Sequence, residues 1–252
     1  MPTKYVVIGA GRQGVAAAYD LGVFGRADEI VLLDIDGEAA RAAAARLNAL
    51  LGRDVARGAA ADAGDIRAVR PHLEGAVGCI SSVHFTFNLA ITRLAIDERV
   101  NLVDFGGNTG VVRQQLALDH EARAAGISVV PDCGMGPGLN ISLGTHVMAL
   151  VEEPREVLIW DGGLPQDPQP PWNYACAFAL GGLTNEYDGD AFFLRDGRVT
   201  PVPAFSGYEL LDFPEPIGRL EAFVTSGGLS TSPWTFEGKL QRLENKTLRY
   251  PG

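Results

Sequence analysis

Residues 4–22, KYVVIGAGRQGVAAAYDLG, decide the reading of the fold. A short apolar run, KYVVI, stops at a glycine, and an alanine-rich helix over 11–24 follows at once. Between them Gly9, Gly11 and Gly14 make a GxGxxG loop. In such a loop the first glycine permits the tight turn and the second lets backbone approach a pyrophosphate. The third lets the helix pack close to its strand. The helix start then offers free N–H groups and the positive end of its dipole to phosphate, at Arg12, Gln13 and Gly14. A structural glycine turn is the alternative reading, since such turns are common before helices.

The stretch that follows supplies context. EIVLLD (29–34) is a second apolar run, and its terminal Asp34 lies twenty residues beyond Gly14. A carboxylate there meets the adenosine ribose hydroxyls and repels a 2′-phosphate. The next residues, Ile35 and Asp36, supply no cation, so NAD is expected over NADP. Asp36 is the better N-cap for the helix that follows. Further apolar runs at 55–62, 75–83, 101–107 and 127–132 alternate with helical stretches at 86–98 and 109–125. Continuous rather than alternating apolar runs signal a parallel sheet covered on both faces, a doubly wound α/β fold. Ligands of such sheets sit outside the carboxyl ends of the strands. Asp62, Ser81, Ser82, Val83 and Cys133 are therefore further cofactor candidates, with loop capping as the alternative for each.

After about Leu150 the texture changes. The stretch 155–174 is proline-rich without helical period, and FFLRDGRVTPV (192–202) carries Asp-Gly at its tip, a hairpin signal. LEAFVTSGG and TFEGKLQRL are read as further strands. The expected organisation is a dinucleotide-binding domain over 1–150 and a largely antiparallel α+β domain over 151–252, which would serve substrate binding and oligomerisation.

Composition narrows the partners. A net charge of −10 and a pI near 4.9 disfavour nucleic acid and anionic membrane surfaces. The expected partner is a small molecule. No apolar run is long enough to span a bilayer, and MPTKYVV enters a strand directly, without room for a signal peptide. Three cysteines without CxxC spacing fit reduced thiols in a cytoplasm. Four scattered histidines and no paired cysteines give no metal motif, and no nucleophile signature occurs.

The corner VVPDCGMGPGLN (129–140) crowds an aspartate, a thiol, three glycines and a proline between a strand and a helix. Approach of a cofactor ring and a substrate would explain this. A Gly/Pro turn capped by Asp132, with Cys133 as a small core residue, explains it equally. Candidate proton acceptors by position are Asp132, Glu186, Asp104 and His84. A partly buried carboxylate with a raised pKa suits the role.

Six segments in register carry a resemblance: VDFGGNT (103–109), VVPDCGMGPGLN (129–140), GGLPQDP (162–168), NYACAFALGGLTNEY (173–187), EAFVTSGGLSTSPWTFEGK (221–239) and KTLRYPG (246–252). Together they resemble the saccharopine dehydrogenase-like family, and within it the L-lysine 6-dehydrogenase branch most closely. The resemblance implies oxidation of the ε-amine of L-lysine by NAD to an imine, then an aldehyde, with release of ammonia. It implies that Asn173, Tyr174, Glu186 and Tyr187 line the substrate side, with aromatic packing in a β-sheet as the equal alternative, and that the protein is a homodimer; Asp132 and Glu186 are taken as the catalytic pair by position. Arg195, Lys239 and Arg249 are alternatives for meeting an α-carboxylate. A saccharopine- or carboxynorspermidine-type reductase is an alternative within the family. Family members run on for roughly a hundred residues beyond KTLRYPG, in keeping with domains of ordinary size. The second domain is therefore expected to be incomplete at its C-terminus, and a shortened, non-catalytic dinucleotide-binding or assembly protein is the third alternative.

Overall fold

The computed structural model describes residues 2–176, 178 and 180–252. The chain divides into two compact units, Met1–Gly106 with Gly110–Cys133, and Gly107–Thr109 with Gly134–Gly252.

The first unit runs β1 (Lys4–Ile8), α1 (Arg12–Phe24), β2 (Glu29–Asp34), α2 (Gly37–Leu51), β3 (Ala56–Ala60), α3 (Ile66–Leu73), β4 (Gly78–Ser81), α4 (Asn88–Glu98), β5 (Asn101–Asp104), α5 (Thr109–Leu116), α6 (Asp119–Ala125) and β6 (Val129–Val130). Its six strands are all parallel, in the order β3-β2-β1-β4-β5-β6. The order reverses between β1 and β4, which makes the carboxyl ends of these two strands the topological switch point. The apolar runs are buried on both faces of the sheet, as expected of a doubly wound fold. Val6, Val31 and Leu33 pack into one cluster, and Val7, Ile30 and Leu32 into the other. Each fully buried Leu or Ile contributes about 1.5–3 kcal/mol. Asp36 caps α2, accepting from the Glu38 and Ala39 amides.

Two expectations for this unit change. The helix expected over 109–125 is two helices, interrupted where Leu118 leaves helical geometry. The strand expected over 127–132 is two residues long, because Pro131 has no N–H and Asp132 turns to φ 62°.

The second unit holds α7 (Leu139–Met148), β7 (Glu156–Asp161), α8 (Leu180–Glu186), β8 (Asp190–Arg195), β9 (Arg198–Pro203), β10 (Glu209–Asp212), β11 (Arg219–Phe223), α9 (Ser232–Phe236) and β12 (Arg242–Arg249). Its sheet is mixed. β12 is central, parallel to β7 and antiparallel to β8 and β11. The β8–β9 hairpin turns at Asp196-Gly197, both at positive φ, as the Asp-Gly signal requires. TFEGKLQRL is not a strand over most of its length. Its first residues finish α9, and only Arg242 and Leu243 join β12.

The division between the units falls at Cys133, not near Leu150. The reason is packing: Ile141 and Met148 of α7 enter the second unit's core with Val157 and Ile159 of β7. A Cβ on Gly144 would lie 3.5 Å from both β7 side chains, so the helix rests directly on the strand. Among the described residues no helix is long and apolar enough to cross a membrane.

Candidate functional site

The glycine loop of the first unit has a specific shape. Gly9 sits at φ 102°, donates to Leu33 O at 2.7 Å, and lies against Ser82. A Cβ on Gly14 would come within 2.0 Å of Gly9 O, so helix and loop touch there without side chains. Gly11 differs. A Cβ on it would meet nothing within 4 Å, and it caps α1 with no side-chain hydrogen bond. Open space therefore lies beside an uncapped helix start, over Arg12, Gln13 and Gly14. That cradle fits a diphosphate, which the loop amides and the helix dipole would hold.

Asp34 closes the cradle from β2. Its Oδ2 accepts from Ala10 N at 2.9 Å and its Oδ1 from Asp36 N at 3.1 Å, which holds the carboxylate against the loop. Ile35 beside it is 74 % exposed. Ser82 supports the loop, its Oγ 2.7 Å from Gly9 O, and Val83 packs partly into the core. Two other candidates are placed elsewhere. Ser81 is 1 % exposed and donates to Asn88 Oδ1 at 2.7 Å, because the pleat of β4 turns it inward. Asp62 spends Oδ1 on the Gly64 amide, a local turn. His84 lies 3.0 Å from Thr86 Oγ1 and 4.1 Å from the Phe85 ring centroid, a local turn contact.

At the end of β5, Asp104 is wholly buried. Its Oδ1 accepts from Gly106 N at 2.7 Å and Asp132 N at 3.3 Å, and its Oδ2 from Gln115 Nε2 at 2.7 Å. Burial raises its pKa against these three bonds. Asp104 thus fastens the backbone on which Asp132 stands, rather than offering itself as a base. The Asp132 carboxylate covers Gly106, where a Cβ would lie 2.0 Å from Oδ1. Cys133 is exposed, not a core residue. Partial burial and the nearby Asp104 and Asp132 raise its pKa, which disfavours the thiolate.

The second unit holds a separate polar cluster. Asp161, ending β7, accepts from Asn140 Nδ2 and Asn245 Nδ2, each at 3.0 Å. Asn140 opens α7. It also donates to Gly228 O and accepts from the Gly138 and Ile141 amides. Backbone crowds this cluster: a Cβ on Gly136 would lie 2.6 Å from Asp161 Oδ2, and one on Gly228 1.9 Å from Asn245 Oδ1. Gly136 and Gly228 therefore make room for Asp161 and Asn245. Burial raises the Asp161 pKa, opposed by the two amides and by Arg249.

Arg249, 9 % exposed, collects the residues expected on the substrate side. Its Cζ lies 4.6 Å from the Tyr174 ring centroid, and its Nη2 is 3.4 Å from Tyr187 Oη and 3.7 Å from Glu186 Oε2. Tyr187 packs at a tilt against Phe205 and Phe223. Burial raises the Glu186 pKa, Arg249 opposes this and Asp161 adds to it. Asn173 stands apart, in a turn at φ 50° with Nδ2 donating to Pro251 O at 3.2 Å. Ala177 and Ala179 of the same segment lie outside the described residues. Of the three cations considered for a carboxylate, Arg195 is half-exposed and lies 3.6 Å from Glu244, and Lys239 sits in the turn before β12. Asp161, Asn140 and Asn245 had not been singled out. The available signal was an acid ending an apolar strand before a glycine pair, VLIWDGG. Among the described residues no group of three or more His, Cys, Asp or Glu side chains is placed to hold a metal ion.

Comparison with known proteins bears on the family and the fold. Residues 5–130 match the family model of the saccharopine dehydrogenase NADP binding domain. A Pyricularia oryzae protein, saccharopine dehydrogenase [NADP(+), L-glutamate-forming], is 28% identical over 184 residues, which cover 69% of this chain and 40% of that protein. Apo saccharopine dehydrogenase (L-Glu forming) from Saccharomyces cerevisiae superposes over 99% of this chain with a TM-score of 0.75 at 20% identity, and the match spans 56% of the yeast chain. A myo-inositol dehydrogenase from Corynebacterium glutamicum shares the fold at 12% identity, with a TM-score of 0.53 over 100% of this chain and 69% of that one. This chain thus spans about half the length of the saccharopine dehydrogenases it matches. The family model covers half of the chain and the whole of its glycine-loop sheet, and the chain belongs to the saccharopine dehydrogenase family.

Proposed function

We propose that this protein is a nicotinamide-dependent oxidoreductase that oxidises the side-chain amine of L-lysine or a close relative, with NAD as its preferred coenzyme. The observation that carries this reading is the open, uncapped cradle at Gly11 closed by Asp34. A bound nicotinamide dinucleotide would supply the hydride acceptor. Gly9, Gly11, Arg12, Gln13 and Gly14 would hold its diphosphate, and Asp34 its ribose. The names of the family model and of the fungal relative carry NADP. The preference for NAD rests instead on Asp34, pinned by the Ala10 and Asp36 amides where a 2′-phosphate would arrive.

Oxidation of an ammonium needs a group to take its proton. Asp132 and Glu186 are alternatives for this role in our reading. Burial raises the Glu186 pKa from its ordinary value, opposed by Arg249, and a raised pKa is the direction that suits a base. Tyr174 and Tyr187 supply apolar walls for a methylene chain. The product imine would hydrolyse to an aldehyde and ammonia.

Calorimetric titration with NAD and NADP tests the coenzyme, and tighter NADP binding would reverse that choice. Absorbance of reduced coenzyme formed with L-lysine tests the substrate. A second reading, a saccharopine-type reductase forming a secondary amine, is favoured by the names of the fungal and yeast relatives. It predicts turnover with saccharopine and none with L-lysine. Stabilisation by NAD without turnover on any amine would favour the non-catalytic, dinucleotide-binding reading. A homodimer in a reducing cytoplasm completes the proposal, supported by three free cysteines and by the exposed stripe Leu139, Leu143, Val147 on α7. A monomer in light scattering would remove the dimer from it.

A further inference from the structure

Arg41 is the first cation along the chain beyond Asp34. It stands one turn into α2, four residues after Gly37, the first residue of that helix. Helical side chains lean towards the N-terminus, so an arginine at 41 covers the position of residue 37. The structure shows this: a Cβ on Gly37 would lie 3.2 Å from Arg41 Nη1 and 2.9 Å from the Cβ of Ala60. Ala60 ends β3 and is the register partner of Asp34, which ends β2. The guanidinium therefore lies beside the carboxyl ends of these two strands, across a residue with no side chain to part them. Its Nη2 donates to Glu38 Oε1 at 2.6 Å, and the two side chains are 54% and 87% exposed. An ion pair so exposed is weak and yields its cation to a stronger anion.

We propose that Arg41 is a coenzyme-specificity residue, the cation that a 2′-phosphate takes, and that Glu38 limits it by competing for the same guanidinium. This deepens the coenzyme reading given above and rests on it. In sheets of this kind an acid at the end of the second strand holds the 2′-hydroxyl, whereas a nearby arginine accommodates the 2′-phosphate. This chain carries both. Asp34 is fixed by the Ala10 and Asp36 amides and repels the phosphate. Arg41 attracts it, and its planar fork matches phosphate oxygens bidentately, which the single carboxylate of Glu38 does not equal in charge. NADP is thus weakened relative to NAD rather than shut out, and the Glu38–Arg41 pair sets the margin. Arg57 on β3 does not share the role, since it pairs with Glu29 at the opposite end of β2.

The test is calorimetric titration of the full chain with NAD and with NADP at low ionic strength, where exposed charges are least screened. The native protein is compared with Arg41→Met, Arg41→Lys, Glu38→Gln and the double variant Glu38→Gln/Arg41→Met, with thermal denaturation as the control of folding. Arg41→Met should lose about tenfold in NADP affinity and keep its NAD affinity, with partial recovery in Arg41→Lys. Glu38→Gln should gain about threefold for NADP alone, and the double variant should lose that gain. Unchanged NADP affinity in Arg41→Met would overturn the proposal, and so would equal losses for both coenzymes, which would leave Arg41 a support of α2. A gain from Glu38→Gln that persists without Arg41 would overturn the competition, Glu38 then acting by its own charge. NADP binding undetectable in both the native protein and Glu38→Gln would overturn the whole. If neither coenzyme binds the native protein, the cradle itself falls and Arg41 with it. If NADP binds more tightly than NAD and is selectively lost in Arg41→Met, Arg41 stands and the preference for NAD falls. Should Arg41→Met fail to fold, Arg41→Lys decides: a loss confined to NADP supports the assignment and a loss common to both coenzymes removes it.

Discussion

Asp104 and Asp161 end apolar strands in different units, and a glycine pair follows each within three residues. Burial raises both pKa values. Their partners differ. Asp104 takes two backbone amides and one side-chain amide, with no cation among the causes acting on it. Asp161 takes two side-chain amides and feels the charge of Arg249. The first is a fastening for the chain itself. The second belongs to a cluster whose outer members, Arg249, Glu186 and two tyrosines, are suited to a ligand. An acid at a strand end is thus one sequence signal with two physical uses, and its partners decide which.

The largest effect should come from removing these acceptors. Asp104→Ala leaves two backbone N–H groups without their acceptor and the Gln115 amide with Thr92 Oγ1 alone, a cost of about 3–5 kcal/mol. Asp161→Ala removes one acceptor from each of two Asn amides, which keep Gly228 O and Ile159 O, and about 2–3 kcal/mol is expected. Urea unfolding measures both. A larger loss at Asp161 would reverse the assignment of fastening and ligand cluster.

Gly106→Ala probes the Asp104 corner alone. The new Cβ would meet Asp132 Oδ1 at 2.0 Å, on backbone at φ 71°. A loss of about 1–3 kcal/mol is expected. Adding Asp132→Ala should return part of it, since the clash goes and the strained φ stays. Strict additivity in that double-mutant cycle would mean that the two residues do not touch in solution.

These corners also show what a sequence discloses. The glycine loop was legible because its constraints are local: Gly9, Gly11 and Gly14 act within six residues, and Asp34 sits at a fixed distance from them. The Asp-Gly hairpin at 196–197 was legible for the same reason. Asp161 was not, because its partners are 21 and 84 residues away and carry no periodicity. The role of the 134–138 corner was obscured likewise, since Gly136 makes room for Asp161, which lies 25 residues further along the chain. Ser81 was misread through register, where one residue decides whether a strand-end hydroxyl faces the loop or the core.

Asp34→Ala tests the legible part. It removes the acceptor for Ala10 N–H and the proposed partner of the ribose. NAD affinity should fall by about tenfold, some 1.4 kcal/mol, while NADP affinity holds or rises. Equal losses for both coenzymes would show that Asp34 only shapes the loop.

The smallest effect has the most informative sign. A buried carboxylate with a raised pKa keeps its proton at a pH where the unfolded chain has lost it. The folded state then binds more protons, so this group's contribution is complete below the ordinary Asp range and is lost as pH rises through the raised value. Asp104→Asn removes the titration while keeping an oxygen for Gly106 and Asp132. The Gln115 carbonyl oxygen, which has no partner, would accept from the new amide after a flip of the Gln115 side chain. The stability of the native protein minus that of Asp104→Asn should therefore decline as pH is raised from about 4 towards neutrality. Followed by urea midpoints across that range, a difference that instead grows with pH would mean that the amides hold Asp104 ionised. Asp104 would then resemble a charged ligand group more than a fastening, and its contrast with Asp161 would disappear.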